Sequence, residues 1–106
     1  MQSRQTLGQI LVEARKNRGK SLKDISSKVK KEDGSSISPQ YLNDIEHDRR
    51  TPSPAVLEQL ARVFELPPDY LYLLAGTMPE DLAKARGVTE SQAVEAFKAF
   101  RRKLGG

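Results

Sequence analysis

The segment SPQYLNDIEHDRRTPSP, residues 38–54, decides the fold because it holds one complete short helix and the start of the next. Ser38 followed by Pro39 is a typical helix start, since serine caps free N–H groups and proline in the first turn loses no hydrogen bond. Leu42 and Ile45 give this helix one apolar side. The closing TPSP stops it and begins another helix. The segment therefore predicts a short helix that presents a polar face, followed by two arginines, to a partner.

Helical signals continue on both sides of this segment. Thr6 starts a predicted capping box for a first helix, and Ser21 caps a second one. Pro67 precedes a fifth helix, a short helix is predicted over residues 79–86, and Thr89 caps the last one. No stretch alternates with the period of a strand, so the predicted fold class is all-α. The apolar positions at helical spacing are Leu7, Ile10, Leu11, Ala14, Leu22, Ile25, Val29, Leu42, Ile45, Val56, Leu57, Leu60, Ala61, Phe64, Tyr70, Leu71, Leu73 and Leu74.

The composition describes a soluble globular protein of 106 residues, of which 37% are hydrophobic and 30% charged. This length suits one compact domain with an appended element. The chain has no cysteine, which excludes disulfides, thiolate chemistry and cysteine-based zinc sites. Its start lacks the apolar core of a signal peptide, and no apolar run approaches the roughly 20 residues that span a bilayer. We therefore expect a cytoplasmic protein with no membrane partner.

The net charge of +4 is concentrated in the first half of the chain. Residues 1–52 hold eleven lysines and arginines against seven acidic residues, whereas residues 53–106 hold seven of each kind. Clustered positive charge is typical of proteins that bind phosphate-bearing partners.

The outward face of the third helix carries hydrogen-bonding groups rather than the lysine and glutamate mixture of a merely solvated helix. Glutamine and asparagine suit two-pronged pairing with adenine in the major groove, and serine suits a base or a phosphate. Arg49 and Arg50 follow the helix, where their guanidinium groups suit phosphate oxygens. This pattern predicts a helix presented to double-stranded DNA with a backbone contact behind it. The outward residues are Ser38, Pro39, Gln40, Asn43, Asp44 and His47.

Two segments, GKSLKDIS at 19–26 and ISPQYLNDIEHDRRTPSPAVLEQLARVFELP at 37–67, resemble the helix-turn-helix domain of Cro and the phage repressors, the XRE-type regulators. The resemblance covers roughly residues 7–75. It implies a five-helix repressor-like DNA-binding domain in residues 1–76. One or two further helices then form a C-terminal extension over residues 77–106. The family further implies a sequence-specific transcriptional regulator, a repressor, that binds DNA as a homodimer.

The resemblance also implies which residues contact DNA. The slots used for base contact hold Pro39, Gln40 and Asp44, so direct readout rests on Gln40, because proline has no donor and aspartate is acidic. Asp44 either accepts from a cytosine amino group or pairs within the protein. Asn43 is either a DNA contact or a solvated amide. The complete set of predicted DNA-contacting residues is Ser21, Ser38, Pro39, Gln40, Tyr41, Asn43, Asp44, His47, Arg49 and Arg50.

Two positions depart from the family pattern. Leu22 occupies the slot where the family often has a phosphate-binding glutamine. The turn before the recognition helix is widened by KKEDGSS, residues 30–36. Either Lys30 and Lys31 add a backbone contact through this insert, or the second helix runs one turn longer.

Glu46 lies in the last turn of the third helix, where its charge opposes the helix dipole, so it needs a compensating partner. In the family an arginine of the first helix has that role, and Arg15 occupies the matching position. We therefore predict a largely buried ion pair between the two residues. His47 is the only histidine, and without further ligands at suitable spacing the sequence predicts no metal site and no cofactor.

Residues 77–106 leave two classes of function open. A seam of Ala93, Phe97, Phe100 and Leu104 recurs at spacings typical of a short coiled coil. It either extends the core against the fifth helix, joins two copies of the chain, or binds another protein. The main hypothesis is a DNA-binding regulator, and the alternative is an antitoxin or adaptor whose C-terminal helices bind a partner protein. An enzyme is not expected, because no nucleophile–base constellation and no phosphate-cradling glycine loop is present.

Overall fold

Six helices form the described part of the chain, which comprises residues 5–77, 87 and 89–105 of the computed structural model. No strand occurs within these residues, as predicted for an all-α fold. The helix predicted over residues 79–86 lies outside them. None of the described helices is long and apolar enough to cross a bilayer. The helices are α1 (Leu7–Asn17), α2 (Leu22–Ser26), α3 (Pro39–Glu46), α4 (Pro54–Phe64), α5 (Pro68–Ala75) and α6 (Glu90–Gly105).

The predicted helix starts are confirmed by their capping hydrogen bonds. In α1, Thr6 Oγ1 accepts from the Gln9 N–H at 3.1 Å, and Gln9 Oε1 accepts from the Thr6 N–H at 2.9 Å. Gly19 turns the chain after α1 with a φ of +64°, in the left-handed region that glycine enters without strain. Hydroxyl caps also begin α2, α3, α4 and α6, at Ser21, Ser38, Ser53 and Thr89.

Helices α1 to α5 enclose a hydrophobic core, and its α5 members differ from those predicted. Tyr70 and Leu73 are 39% and 44% exposed, whereas Tyr72 is 3% exposed. Apolar and aromatic residues occupy most positions of α5, so periodicity alone could not select its inner side. Tyr72 satisfies its polar end by donating from its hydroxyl to Glu58 Oε1 at 3.0 Å. The buried apolar residues are Leu7, Leu11, Ile25, Val29, Ile37, Leu42, Ile45, Val56, Leu57, Leu60, Ala61, Phe64, Leu71 and Tyr72.

The connection between α2 and α3 is a small hairpin-like loop. Helix α2 ends at Ser26, so the alternative of a second helix one turn longer is wrong. Lys30 and Ser36 form an antiparallel bridge, and the Ile37 N–H donates to the Val29 carbonyl at 2.9 Å at its base. Val29 and Ile37 are both buried. The loop therefore leaves the core and returns to it at neighbouring positions.

Gln59 of α4 holds this loop against the domain. Its Oε1 accepts from the Lys30 N–H at 2.7 Å, and its Nε2 donates to the Lys30 carbonyl at 2.8 Å. At the tip, the Ser35 hydroxyl and N–H donate to Asp33 Oδ1 at 2.6 and 2.9 Å. These two bonds lower the pKa of the Asp33 carboxyl. Hydrogen bonds thus fix the loop at its base, its side and its tip.

Candidate nucleic-acid interface

Helix α3 lies against α1, and the backbones meet most closely at Gly8. A Cβ atom on Gly8 would lie 2.2 Å from the carbonyl oxygen of Glu46, so only glycine fits there. The sequence analysis did not single out this residue, although a glycine inside a helical pattern often marks a packing constraint. The contact fixes the inner side of α3 and leaves the opposite side for a partner.

The ion pair expected between Arg15 and Glu46 is present, and it joins α1 to the end of α3. Arg15 Nε donates to Glu46 Oε2 at 2.7 Å, and Arg15 Nη2 donates to Glu46 Oε1 at 3.0 Å. The two side chains are 14% and 2% exposed. The hydrogen bonds from Arg15 to Glu46 raise the pKa of the guanidinium. Arg15 Nη1 also donates to the Lys20 carbonyl at 3.0 Å, which fixes the turn before α2.

Asp48 ties the end of α3 to the start of α1, a role that the sequence analysis missed. Its φ of +58° is left-handed, a conformation that aspartate adopts more readily than most residues. Its carboxylate accepts from the Gly8 N–H at 2.9 Å and from the Thr6 hydroxyl at 2.5 Å. The helix dipole of α1 favours a negative charge there. An aspartate directly after a predicted helix end was the available signal.

The first turn of α3 is open to solvent. Ser38, Pro39 and Gln40 are all exposed. Ser38 Oγ accepts from the Tyr41 N–H at 3.0 Å, and Pro39 occupies the first helical position. The structure therefore brings the first three predicted DNA-contacting residues of this helix to one accessible surface.

Asp44 pairs within the protein, the second of the two alternatives considered for it. Its Oδ1 accepts from Gln40 Nε2 at 3.0 Å and from Arg49 Nη2 at 3.1 Å. Bonding to Arg49, and then to Gln40, lowers the pKa of the Asp44 carboxyl. One carboxylate thus connects the predicted base-reading residue with a predicted phosphate contact.

Arg50 lies over the aromatic ring of Tyr41. Its guanidinium carbon is 4.4 Å from the ring centroid, which is a cation–π contact. Tyr41 is half-buried and Arg50 is exposed. Among the described residues Arg50 has no ion-pair partner, so its charge is held at the surface beside α3 without being neutralised.

The remaining predicted contacts are less closely grouped. Asn43 is half-buried, and its carbonyl oxygen lies 2.9 Å from Nδ1 of the exposed His47. Ser21 belongs to a different helix, where its Oγ accepts from the Asp24 N–H at 3.0 Å as the cap of α2. Within residues 5–77, 87 and 89–105, no three acidic or histidine side chains are grouped as metal ligands.

An open concavity separates the α2–α3 loop from the recognition helix. It contains charges of both signs, with Lys31 and Arg50 facing three carboxylates. The loop is therefore a neighbour of the predicted DNA-contacting surface. The charged and polar lining residues are Lys31, Glu32, Asp33, Ser38, Gln40, Tyr41, Asp44, Arg50 and Ser53.

The predicted C-terminal seam lies on α6. Ala93 is half-buried and Phe97 is 51% exposed, so Phe97 does not extend the core. Val94 is also 44% exposed. The side chains of Phe100 and Leu104 lie outside the described residues.

A helix that is capped at its start, fixed on its inner side and polar on its outer side, following a second short helix, defines a helix-turn-helix DNA-binding domain. In this arrangement α3 is the recognition helix. The family model described as "Helix-turn-helix domain" matches residues 8–77. The chain belongs to this family of XRE-type regulators.

The fold is similar to that of one chain in the solved structure of the SinR protein/SinI protein complex. The TM-score is 0.53 and the sequence identity 23%, over 95% of this chain and 100% of that chain. At this identity the likeness concerns the fold. No curated protein matches the chain.

Proposed function

We propose that this chain is a transcriptional repressor that binds specific double-stranded DNA sequences as a homodimer. The observation that carries the proposal is the accessible start of α3, with Gln40 beside Arg49 and Arg50. The inner side of the same helix is fixed by Gly8 and by the buried Glu46. A rigid support of this kind holds recognition groups at a constant depth and angle in the major groove. Residues 1–76 are the proposed DNA-binding domain.

Selection from a pool of random double-stranded DNA tests this function directly. We expect one enriched short sequence, repeated with two-fold symmetry and with half-site centres roughly 34–36 Å apart. The enriched sequence should bind at least about a thousandfold more tightly than arbitrary DNA at physiological salt. A pool that shows no enrichment contradicts sequence-specific binding.

Replacing Gln40 with alanine is expected to relax the preference at one base pair in each half-site. Losing a two-pronged base contact costs about 1–3 kcal/mol of discrimination. Replacing Arg50 with alanine is expected to weaken binding to all sequences alike and to reduce the salt slope by about 0.9 per contact. Arg50 suits this comparison better than Arg49, because Arg49 is already paired with Asp44.

Competition binding against single-base variants of the selected site, at several salt concentrations, measures both effects. A base preference that is unchanged by Gln40→Ala contradicts the assignment of Gln40 to a base. A preference redirected by Arg50→Ala shows that the two roles are reversed.

The surface of α6 supports the proposed homodimer. Phe97 and Val94 expose apolar area that a second copy would bury. Acidic Glu90 and Glu95 lie toward the start of the helix, whereas basic Lys98 and Arg101 lie toward its end. Two copies of α6 running antiparallel would place these opposite charges beside each other, as a two-fold interface requires.

Truncation after Gly87 is therefore expected to convert the dimer into a monomer that keeps the α1–α5 domain folded. Losing the second half-site should weaken binding to the selected operator by about tenfold or more. Sedimentation gives the mass, thermal unfolding tests the fold, and an operator titration gives the affinity. A truncated chain that dimerises as well as the full chain places the interface elsewhere.

The exposed Phe97 also favours a second candidate function, in which α6 binds another protein. The structural neighbour is likewise a chain in a complex of two different proteins. An adaptor or antitoxin of this type would keep its fold but select no DNA sequence, or select one only with its partner. The random-pool selection separates the two candidates, because the homodimer selects a symmetric site by itself.

A further inference from the structure

One oxygen of Asp44 organises two groups that the proposed function assigns to DNA. Oδ1 accepts from Gln40 Nε2 at 3.0 Å, from Arg49 Nη2 at 3.1 Å and from Arg49 Nε at 3.3 Å. The Asp44 side chain is 27% exposed, and that of Arg49 is 54% exposed. The base-reading and phosphate-binding groups are therefore coupled before DNA arrives.

The carboxylate fixes the polarity of the Gln40 amide. An ionised carboxylate only accepts hydrogen bonds, so Gln40 must turn its Nε2 toward Asp44 and its Oε1 away. One N–H of the amide is used in this bond, and the second N–H remains beside Oε1. That remaining pair is the donor and acceptor that a two-pronged contact with adenine requires.

The same carboxylate restrains Arg49. A phosphate must compete with Asp44 for the guanidinium of Arg49, whereas Arg50 lies over Tyr41 and has no such competitor among the described residues. A restrained arginine adds little to binding at arbitrary DNA, where phosphate contacts supply nearly all the affinity.

We propose that Asp44 is the positioning residue that sets DNA specificity in this chain. It orients Gln40 for one base pair, and it lowers affinity for arbitrary sequences by holding Arg49. This inference rests on the proposed function, because it concerns how the same surface selects its DNA.

Replacing Asp44 with asparagine tests both parts of the proposal. Asparagine has the same shape but both donates and accepts, so Gln40 can present either polarity, and Arg49 is released. We expect the preference at the base pair read by Gln40 to fall by about fivefold or more. We expect the salt slope for a scrambled DNA site to steepen by about 0.9, since one more phosphate contact forms.

Glu32→Gln is the matched control. Glu32 lines the same concavity and carries the same charge, but it bonds neither Gln40 nor Arg49. It should raise affinity slightly and equally for all DNA and leave the base preference unchanged. The double variant Gln40→Ala, Asp44→Asn should show the same base preference as Gln40→Ala alone, because Asp44 acts through Gln40. The thermal unfolding temperature should stay at the wild-type value in every variant that contains Asp44→Asn.

The outcomes separate this inference from the proposed function. A wild-type chain that selects no sequence overturns both. Wild-type selection with an unchanged preference and salt slope in Asp44→Asn overturns the inference alone. So does a Glu32→Gln variant that reproduces both changes, because simple charge repulsion would then explain them.

Discussion

Replacing Arg15 with alanine is expected to lower the free energy of unfolding by about 3–5 kcal/mol. The reason is that Glu46 would keep its charge without a partner, in a site where its side chain is 2% exposed. The Lys20 carbonyl would also lose the donor that holds the turn before α2. For a domain of this size, the midpoint of thermal unfolding should fall by roughly 12 °C or more.

Calorimetry or circular dichroism on the full chain measures this change. The control is Arg49→Ala, which removes an exposed ion pair with Asp44 and should melt close to wild type. A double replacement of Arg15 and Glu46 by apolar residues of similar size should be far milder than Arg15→Ala, because no charge is left buried. An Arg15→Ala variant that melts like wild type would show that the pair does not support the fold.

Replacing Gly8 with alanine is expected to destabilise the fold by about 3 kcal/mol, at the upper end for an overpacked core. The added Cβ would meet the Glu46 carbonyl oxygen at 2.2 Å and its carbon at 2.7 Å, and backbone atoms cannot rotate away. Helices α1 and α3 would have to separate, which would also lengthen the bonds from Arg15 to Glu46.

The sign of this effect makes the test decisive. Helix propensity alone predicts that alanine stabilises a helical glycine position by about 1 kcal/mol. Chemical unfolding of Gly8→Ala gives the sign, and Lys16→Ala on the exposed side of α1 is the control for a new alanine in that helix. A more stable Gly8→Ala variant would contradict the close approach of the two helices.

The sequence predicted those parts of the fold whose signals are local. Caps such as Ser38 and Ser53 act within three residues of themselves, and the apolar stripes of α1, α3 and α4 follow one period. The side of α5 that faces the core could not be predicted in this way, because apolar residues occur on several sides of that helix.

The missed residues have roles that depend on segments distant in sequence. Gly8 is set by the Glu46 backbone, and the Asp48 side chain is set by the start of α1. Gln59 clamps a loop that lies 29 residues before it. Arg15 and Glu46 are also distant, and their pairing was expected only through the family resemblance. In the same way, the bond from Gln40 to Asp44 follows helical spacing, but the approach of Arg49 depends on the turn after α3.

The closure of the α2–α3 loop between Val29 and Ile37 makes its length a free variable. The backbone bond at its base and the two buried side chains set where α3 begins, whatever the number of residues beyond them. Evolution can therefore lengthen, shorten or recharge this segment while the recognition helix keeps its place, since each doubling of a loop costs only about 0.6 kcal/mol. A sequence motif that assumes a constant spacing between the two helices will misalign this chain, and an alignment anchored on Val29 and Ile37 will not.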